Sequence, residues 1–147
     1  MMSEKIKTIM TRKVVTVNAQ DSLSRIKEIL FTSRFHHIPV VAGPNHKLQG
    51  IVTSFDLMRL NKKFDEYDQL KVEDVMTRKV VVLEPDDHIG AAAQIFLRQL
   101  FHGIPIVNRK KELVGIVTTH DVLKYSYDRE YPNDELELHF RMLEFMD

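Results

Sequence analysis

The chain has 147 residues, 44% hydrophobic and 29% charged, with 21 basic against 21 acidic side chains, the balance of an ordinary globular protein able to bury its own core. Zero formal net charge offers no field to nucleic acid or an anionic membrane, and the lack of cysteine excludes thiol chemistry, thiolate metal sites and disulfides. No apolar run approaches a membrane span and Met1-Met2-Ser3-Glu4-Lys5 lacks the apolar core of a signal peptide, so the cytoplasm is the expected location.

Taken in order, Val14 to Val17 reads as a short β-branched strand or extended segment. Asp21 is placed to cap a helix whose buried stripe is Leu23, Ile26, Ile29 and Leu30. Ile38 to Val41 is too short and too branched for a helix and reads as a strand, with Pro39 near its start. Gly43-Pro44-Asn45 turns the chain into Leu48 to Val52, completing a hairpin. Gly50 removes a side chain where another backbone or a ligand comes close. Thr53-Ser54-Phe55-Asp56 then starts a second helix, with Leu57, Met58 and Leu60 at helical spacing. Asn61 to Leu70 is charged and reads as a linker with some helical character.

The same order then returns. Met10-Thr11-Arg12-Lys13-Val14-Val15 is identical to Met76-Thr77-Arg78-Lys79-Val80-Val81. The same spacing pairs Asp21 with Asp87, His36 with His102, Ile38 with Ile104 and Pro39 with Pro105. After one residue is lost in the loop at Asn108-Arg109-Lys110-Lys111, Thr53 and Asp56 pair with Thr118 and Asp121. The chain therefore divides into a repeat at 5–60, a linker at 61–70, a second repeat at 71–125 and an extension at 126–147. A helix starting at Pro132-Asn133-Asp134, with Leu136, Phe140, Leu143 and Phe145 or Met146 along one side, is expected in the extension. Each repeat has a sheet that leaves one face bare, and burying it against the other copy gives a mixed α/β body with an internal pseudo-two-fold axis.

Two uses compete for Thr-x-x-Asp. It is one carboxylate swap from the capping box, in which the two side chains satisfy the helix's own N–H groups, and that is the commoner use. A strand-to-helix turn also aims free N–H groups and a positive dipole end at an anion.

Two copies of the Met-Thr opening, the Val-Val segment, the capped helix, the His-x-Ile-Pro-Val type strand and the Gly-Ile-Val-Thr-x-x-Asp turn resemble tandem cystathionine-β-synthase (CBS) domains, the pair called a Bateman module. The resemblance implies two β-α-β-β-α repeats and a regulatory module that binds AMP, ADP, ATP or S-adenosylmethionine in clefts between them. It implies that Asp56 and Asp121 take the ribose hydroxyls and that Thr53 and Thr118 face ribose and phosphate. His36, His37 and His102 match positions that reach phosphate, and Val14, Ile38, Val80 and Ile104 match the adenine wall. His37 is replaced by Gly103 in the second copy and Phe55 by His120, which puts a hydrogen-bonding group at a different place in each cleft and implies unequal occupancy.

Neighbours on a strand face opposite ways, so His36 and His37 do not share a metal ion, and no His-Glu-x-x-His set exists. No nucleophile motif, Walker loop or dinucleotide fingerprint is present, so an enzyme is not expected and no cofactor is required. The expected partners are an adenosine nucleotide, a second copy of the chain and a regulated protein acting in trans. The rival reading is a purely structural dimerisation module whose Thr and Asp are helix caps and nothing more.

Overall fold

The computed structural model describes residues 2–33, 35–99, 101–133 and 141–145. The first repeat contributes α1 (Leu23–Thr32), β1 (His37–Ala42), β2 (Lys47–Thr53) and α2 (Ser54–Leu60); the second contributes α3 (Ile89–Arg98), β3 (Gly103–Val107), β4 (Leu113–Thr118) and α4 (Thr119–Glu130). β1 pairs antiparallel with β2, and β3 with β4, giving two separate two-stranded sheets. Fully buried Ile38, Val40 and Val52 in one hairpin, and Ile104, Ile106 and Val117 in the other, face the helices.

The expected strands at 14–17 and 80–83 shrink to single parallel bridges, Val17 to Val40 and Leu83 to Ile106. Each is held by two bonds: Val17 N–H to Pro39 O (3.1 Å) with Val41 N–H to Val17 O (2.9 Å), and their equivalents at Leu83. Proline brings only a carbonyl to such a ladder, so pairing does not extend past it.

The helix starts also differ from expectation. Asp21 and Asp87 do not cap α1 and α3; their carboxylates reach back to the backbone N–H groups of Asn18 (2.9 Å) and Glu84 (2.7 Å). The helices start two residues later, where Leu23 N–H donates to Leu70 O (2.9 Å) and Ile89 N–H donates to Glu4 O (2.8 Å). The lead-in of the other repeat thus supplies the carbonyl that a capping side chain would otherwise provide.

That exchange runs through the whole body. Ile6 and Met10 from the start of the chain are buried with Ile89, Ala92 and Val122, whereas Val72 and Met76 are buried with Leu23, Ile26 and Val52. Thr11 bridges Ile116, and Thr77 bridges Ile51. Each core is completed by the opening segment of the other copy, so the packing unit is offset from the sequence repeat. The linker is part of the core as well: Phe64–Gln69 is a 3-10 helix that places Tyr67, 2% exposed, in the first cluster.

The two hairpin tips also meet. Leu48 N–H donates to Lys111 O (3.0 Å) and Leu113 N–H to His46 O (2.9 Å), joining Lys47 to Glu112 across the repeats. His46 and Lys111 sit at φ 55° and 64°, left-handed conformations expected at tight turns.

The final helix expected from Pro132-Asn133-Asp134 falls largely on 134–140 and 146–147, outside the described residues, and 141–145 form neither helix nor strand. No helix among the described residues is long and apolar enough to cross a membrane.

Candidate functional site

At both Thr-x-x-Asp turns the capping box forms in full. Thr53 Oγ1 accepts from Asp56 N–H (3.4 Å) while Asp56 Oδ2 accepts from Thr53 N–H (2.9 Å). The copy at Thr118 and Asp121 repeats this at 3.2 and 2.9 Å. Capping uses Oδ2 and leaves Oδ1. On Asp56 that oxygen accepts from Thr77 Oγ1 at 3.1 Å and from Arg59 Nη2 at 3.4 Å. On Asp121 it accepts from Thr11 Oγ1 at 3.5 Å. The cross-repeat exchange therefore decides that Thr77 serves Asp56 and Thr11 serves Asp121.

The Asp56 turn opens onto a cavity of about 660 Å³, within the range of small-molecule sites. Of the residues anticipated from sequence, His36, His37, Thr53, Asp56, Val80 and His102 line it. Thr118, Asp121 and His120 do not. Ile38 and Ile104, expected on a cleft wall, are fully buried in the two cores instead, because a β-branched residue facing the helices has no surface left for a ligand. Val14 lines a second cleft of about 410 Å³ with Arg12, Lys13 and His46, and neither aspartate is on that lining.

Sequence reasoning passed over Thr77 and Arg59, which line the larger cavity together with Lys79; the Arg78-Lys79 pair was legible as charge able to attract phosphate, but read more readily as a solvated strand start. For Thr77 and Lys79 a signal existed in the identical Met-Thr-Arg-Lys opening, and it lacked only knowledge of which aspartate it would face. Arg59 has no such signal, since its counterpart is Lys124 and that side chain pairs with Asp128 (2.6 Å) along α4.

The His37-to-Gly103 replacement has a packing cause. A Cβ on Gly103 would lie 2.9 Å from His37 Cγ and 3.3 Å from its Cβ. Two side chains cannot occupy this place near the internal axis, so one copy carries the ring and the other carries none. His37 stands edge-on to His102, with ring centroids 6.3 Å apart. Burial first, then the neighbouring His102 and His36, lowers its pKa to about 4, and His37 is a neutral hydrogen-bonding group at physiological pH. The described residues contain no group of three or more His, Asp or Glu side chains placed to hold a metal.

With this geometry in place, comparison with known proteins defines the class. The CBS domain family model matches residues 6–63 and 72–128, and the chain belongs to the CBS domain family, as a tandem pair. Among curated relatives it is 34% identical over 133 residues to an uncharacterized protein of Methanocaldococcus jannaschii, covering 89% of this chain and 47% of that one. It is 35% identical over 114 residues to a homoserine O-acetyltransferase of Methanococcoides burtonii, covering 78% of this chain and 22% of the enzyme. The chain thus spans from about a fifth to about half the length of these curated relatives.

Solved structures agree with the fold. CBSX2 of Arabidopsis thaliana, solved in complex with AMP, superposes with a TM-score of 0.76 at 25% identity, covering 86% of this chain and 98% of that one. The CBS domain pair of protein MJ0100, solved with 5′-methylthioadenosine and S-adenosyl-L-methionine, gives 0.72 at 26% identity, covering 85% and 97%.

Proposed function

We propose that this protein is a regulatory module that binds an adenosine-containing nucleotide, such as AMP, ADP, ATP or S-adenosylmethionine, in the cavity beside Asp56 and signals by a change in conformation or association. The observation that carries this reading is the cavity of about 660 Å³ with Asp56, Thr53 and Thr77 on its lining. A ribose diol donates to Asp56 Oδ1 while Oδ2 stays in the cap, so the two uses of the motif coexist on one carboxylate. Val80 and Ile51 offer apolar surface to a base, and Lys79, His36 and His102 offer donors to phosphate. The neighbours solved with AMP and with S-adenosyl-L-methionine support the ligand class.

The cleft at Asp121 is the weaker of the two in this reading, since Thr118, His120 and Asp121 line neither the cavity of about 660 Å³ nor that of about 410 Å³. The module itself is not an enzyme; it acts on a separate protein or an attached domain, and it does so only as far as the ligand binds one arrangement better than another. Association with a second copy is supported by exposed apolar side chains at matching places in both repeats: Phe31 with Leu97, and Met58 with Leu123.

A purely structural dimerisation role is the second reading, and the complete capping boxes at both turns favour it. Thermal unfolding with AMP, ATP and S-adenosylmethionine separates the two. Ligand at a hundred times its dissociation constant adds about 2.7 kcal/mol to the folded state. No shift with any adenosine compound leaves the structural role standing.

A further inference from the structure

Resting on the reading of the cavity as an adenosine site, we infer that it selects phosphorylated adenosine ligands over cationic ones, with Arg59 and Lys79 as the residues that recognise the phosphate. Among the fixed charges on the lining are two cations, Arg59 and Lys79, against one carboxylate, Asp56. That carboxylate is already committed. Its side chain is 6% exposed, and its oxygens take the Thr53 N–H at 2.9 Å, the Thr53 hydroxyl at 3.3 Å, the Thr77 hydroxyl at 3.1 Å and Arg59 at 3.4 Å. Asp56 therefore has no surplus negative charge with which to hold a sulfonium or an amino group.

Arg59 makes the longest of those contacts, and its side chain is 65% exposed. A ribose hydroxyl donating to Oδ1 can take its place at small cost, because an ion pair this exposed is weak. The guanidinium does not drift away when released. Its carbon lies 5.0 Å from the centroid of the Phe55 ring, a contact that holds it beside the cavity with planar donors suited to a phosphate. Lys79 makes no ion pair among the described residues and lines the same cavity as a mobile point charge.

The Arg59–Phe55 half of the arrangement is found at the Asp56 turn and not at its copy. In that copy, His120 stands where Phe55 does, and Lys124, in place of Arg59, pairs with Asp128 at 2.6 Å. A phosphate gains charge-assisted bonds from this lining and a neutral nucleoside gains none, while S-adenosylmethionine, whose one carboxylate is outweighed by its sulfonium and ammonium, brings net positive charge to a lining that is itself net positive.

Calorimetry on the full chain with AMP, adenosine and S-adenosylmethionine, at low and at high ionic strength, tests this. AMP is expected to bind at least about tenfold tighter than adenosine at low salt, the step that charge-assisted bonds provide. S-adenosylmethionine is expected to bind no tighter than adenosine. Arg59→Gln and Lys79→Gln are each expected to reduce the AMP-to-adenosine ratio by up to about fivefold, as exposed charges do, the larger loss falling on AMP. High salt is expected to narrow the ratio in the wild type and leave the double variant unaltered. Equal affinity for AMP and adenosine, tighter binding of S-adenosylmethionine, or a ratio unmoved in the double variant overturns the inference while leaving an adenosine site in place. Failure of all three compounds to bind overturns the adenosine reading itself.

Discussion

At Asp56 the two carboxylate oxygens are divided, Oδ2 closing the α2 cap and Oδ1 accepting from Thr77 beside the cavity, and the proposed function gives the second of them to the ligand. Asp56→Ala is accordingly expected to lower stability by about 1–2 kcal/mol through the lost cap and nucleotide affinity by about a hundredfold, or roughly 3 kcal/mol. Asp121→Ala is expected to cost similar stability with a much smaller change in affinity. Chemical denaturation and calorimetry on the two variants check both halves; equal loss of affinity would overturn the preference for the Asp56 cavity, and unchanged affinity in Asp56→Ala would place the ligand elsewhere. His37 gives a second prediction at this scale. Its folded pKa of about 4 lies below the unfolded value near 6.5, so between these values the unfolded chain binds more protons. Stability is complete above about pH 6.5, falls as pH drops through the window and levels off near 4, with a loss of up to about 3 kcal/mol. Denaturation midpoints of wild type and His37→Gln at pH 7 and pH 5 should differ in slope, the variant losing less. A parallel slope would show that His37 is not buried neutral. The His37-to-Gly103 difference was visible in the repeat, but its cause was not, because only coordinates bring two residues 66 positions apart into contact.

Among the elements, the hairpins were legible because their signals are local: branched apolar runs on either side of Gly43-Pro44-Asn45 and of Asn108 to Lys111. Of the two readings open at 14–17 and 80–83, strand or extended segment, the structure takes the second beyond one bridge each, since a third strand needs partner groups that Pro39 and Pro105 do not supply. The expectation that Gly50 marks a close approach does hold in space: a Cβ there would lie 2.7 Å from Thr77 O, and one on Gly115 would lie 2.9 Å from Thr11 O. The approaching backbone is the opening of the other copy in both cases. Gly50→Ala is therefore expected to break the exchange between Ile51 and Thr77, whose two bonds are 2.8 and 2.9 Å, at about 1–3 kcal/mol. Amide exchange at Ile51 and Thr77 should accelerate ahead of that in α3. If the protection of Ile51 and Thr77 is unchanged, the approach is looser than described. The helical character of the linker was legible, but its share in the core was not, because its charged residues mask Tyr67, whose ring packs edge-on against Phe64 at 5.3 Å.

In the molecule as a whole, repeats that lend each other their first residues cannot respond independently. The cavity is lined by Thr77 and Lys79 on one side and by α2 on the other, so under the proposed function a ligand filling it would bear on how the two are held. The outer helix faces carry Phe31 and Met58 in one repeat and Leu97 and Leu123 in the other, 68%, 76%, 87% and 68% exposed. Met58→Glu with Leu123→Glu is expected to shift sedimentation toward the monomer without lowering the melting temperature of the chain by more than about 1 kcal/mol equivalent, as for other exposed sites. A wild type that sediments as a monomer at every concentration would dispose of the second copy. What the order of residues determined by itself is the duplicated plan, its helix-and-hairpin content, the capped turns and the family, because periodicity, turn chemistry and repetition are properties of neighbours along the chain. Which threonine meets which aspartate, where the cavity opens and why one copy keeps a ring that the other must omit were decided only by the packing of the two halves, since those contacts join residues whose separation in sequence carries no trace of their closeness in space.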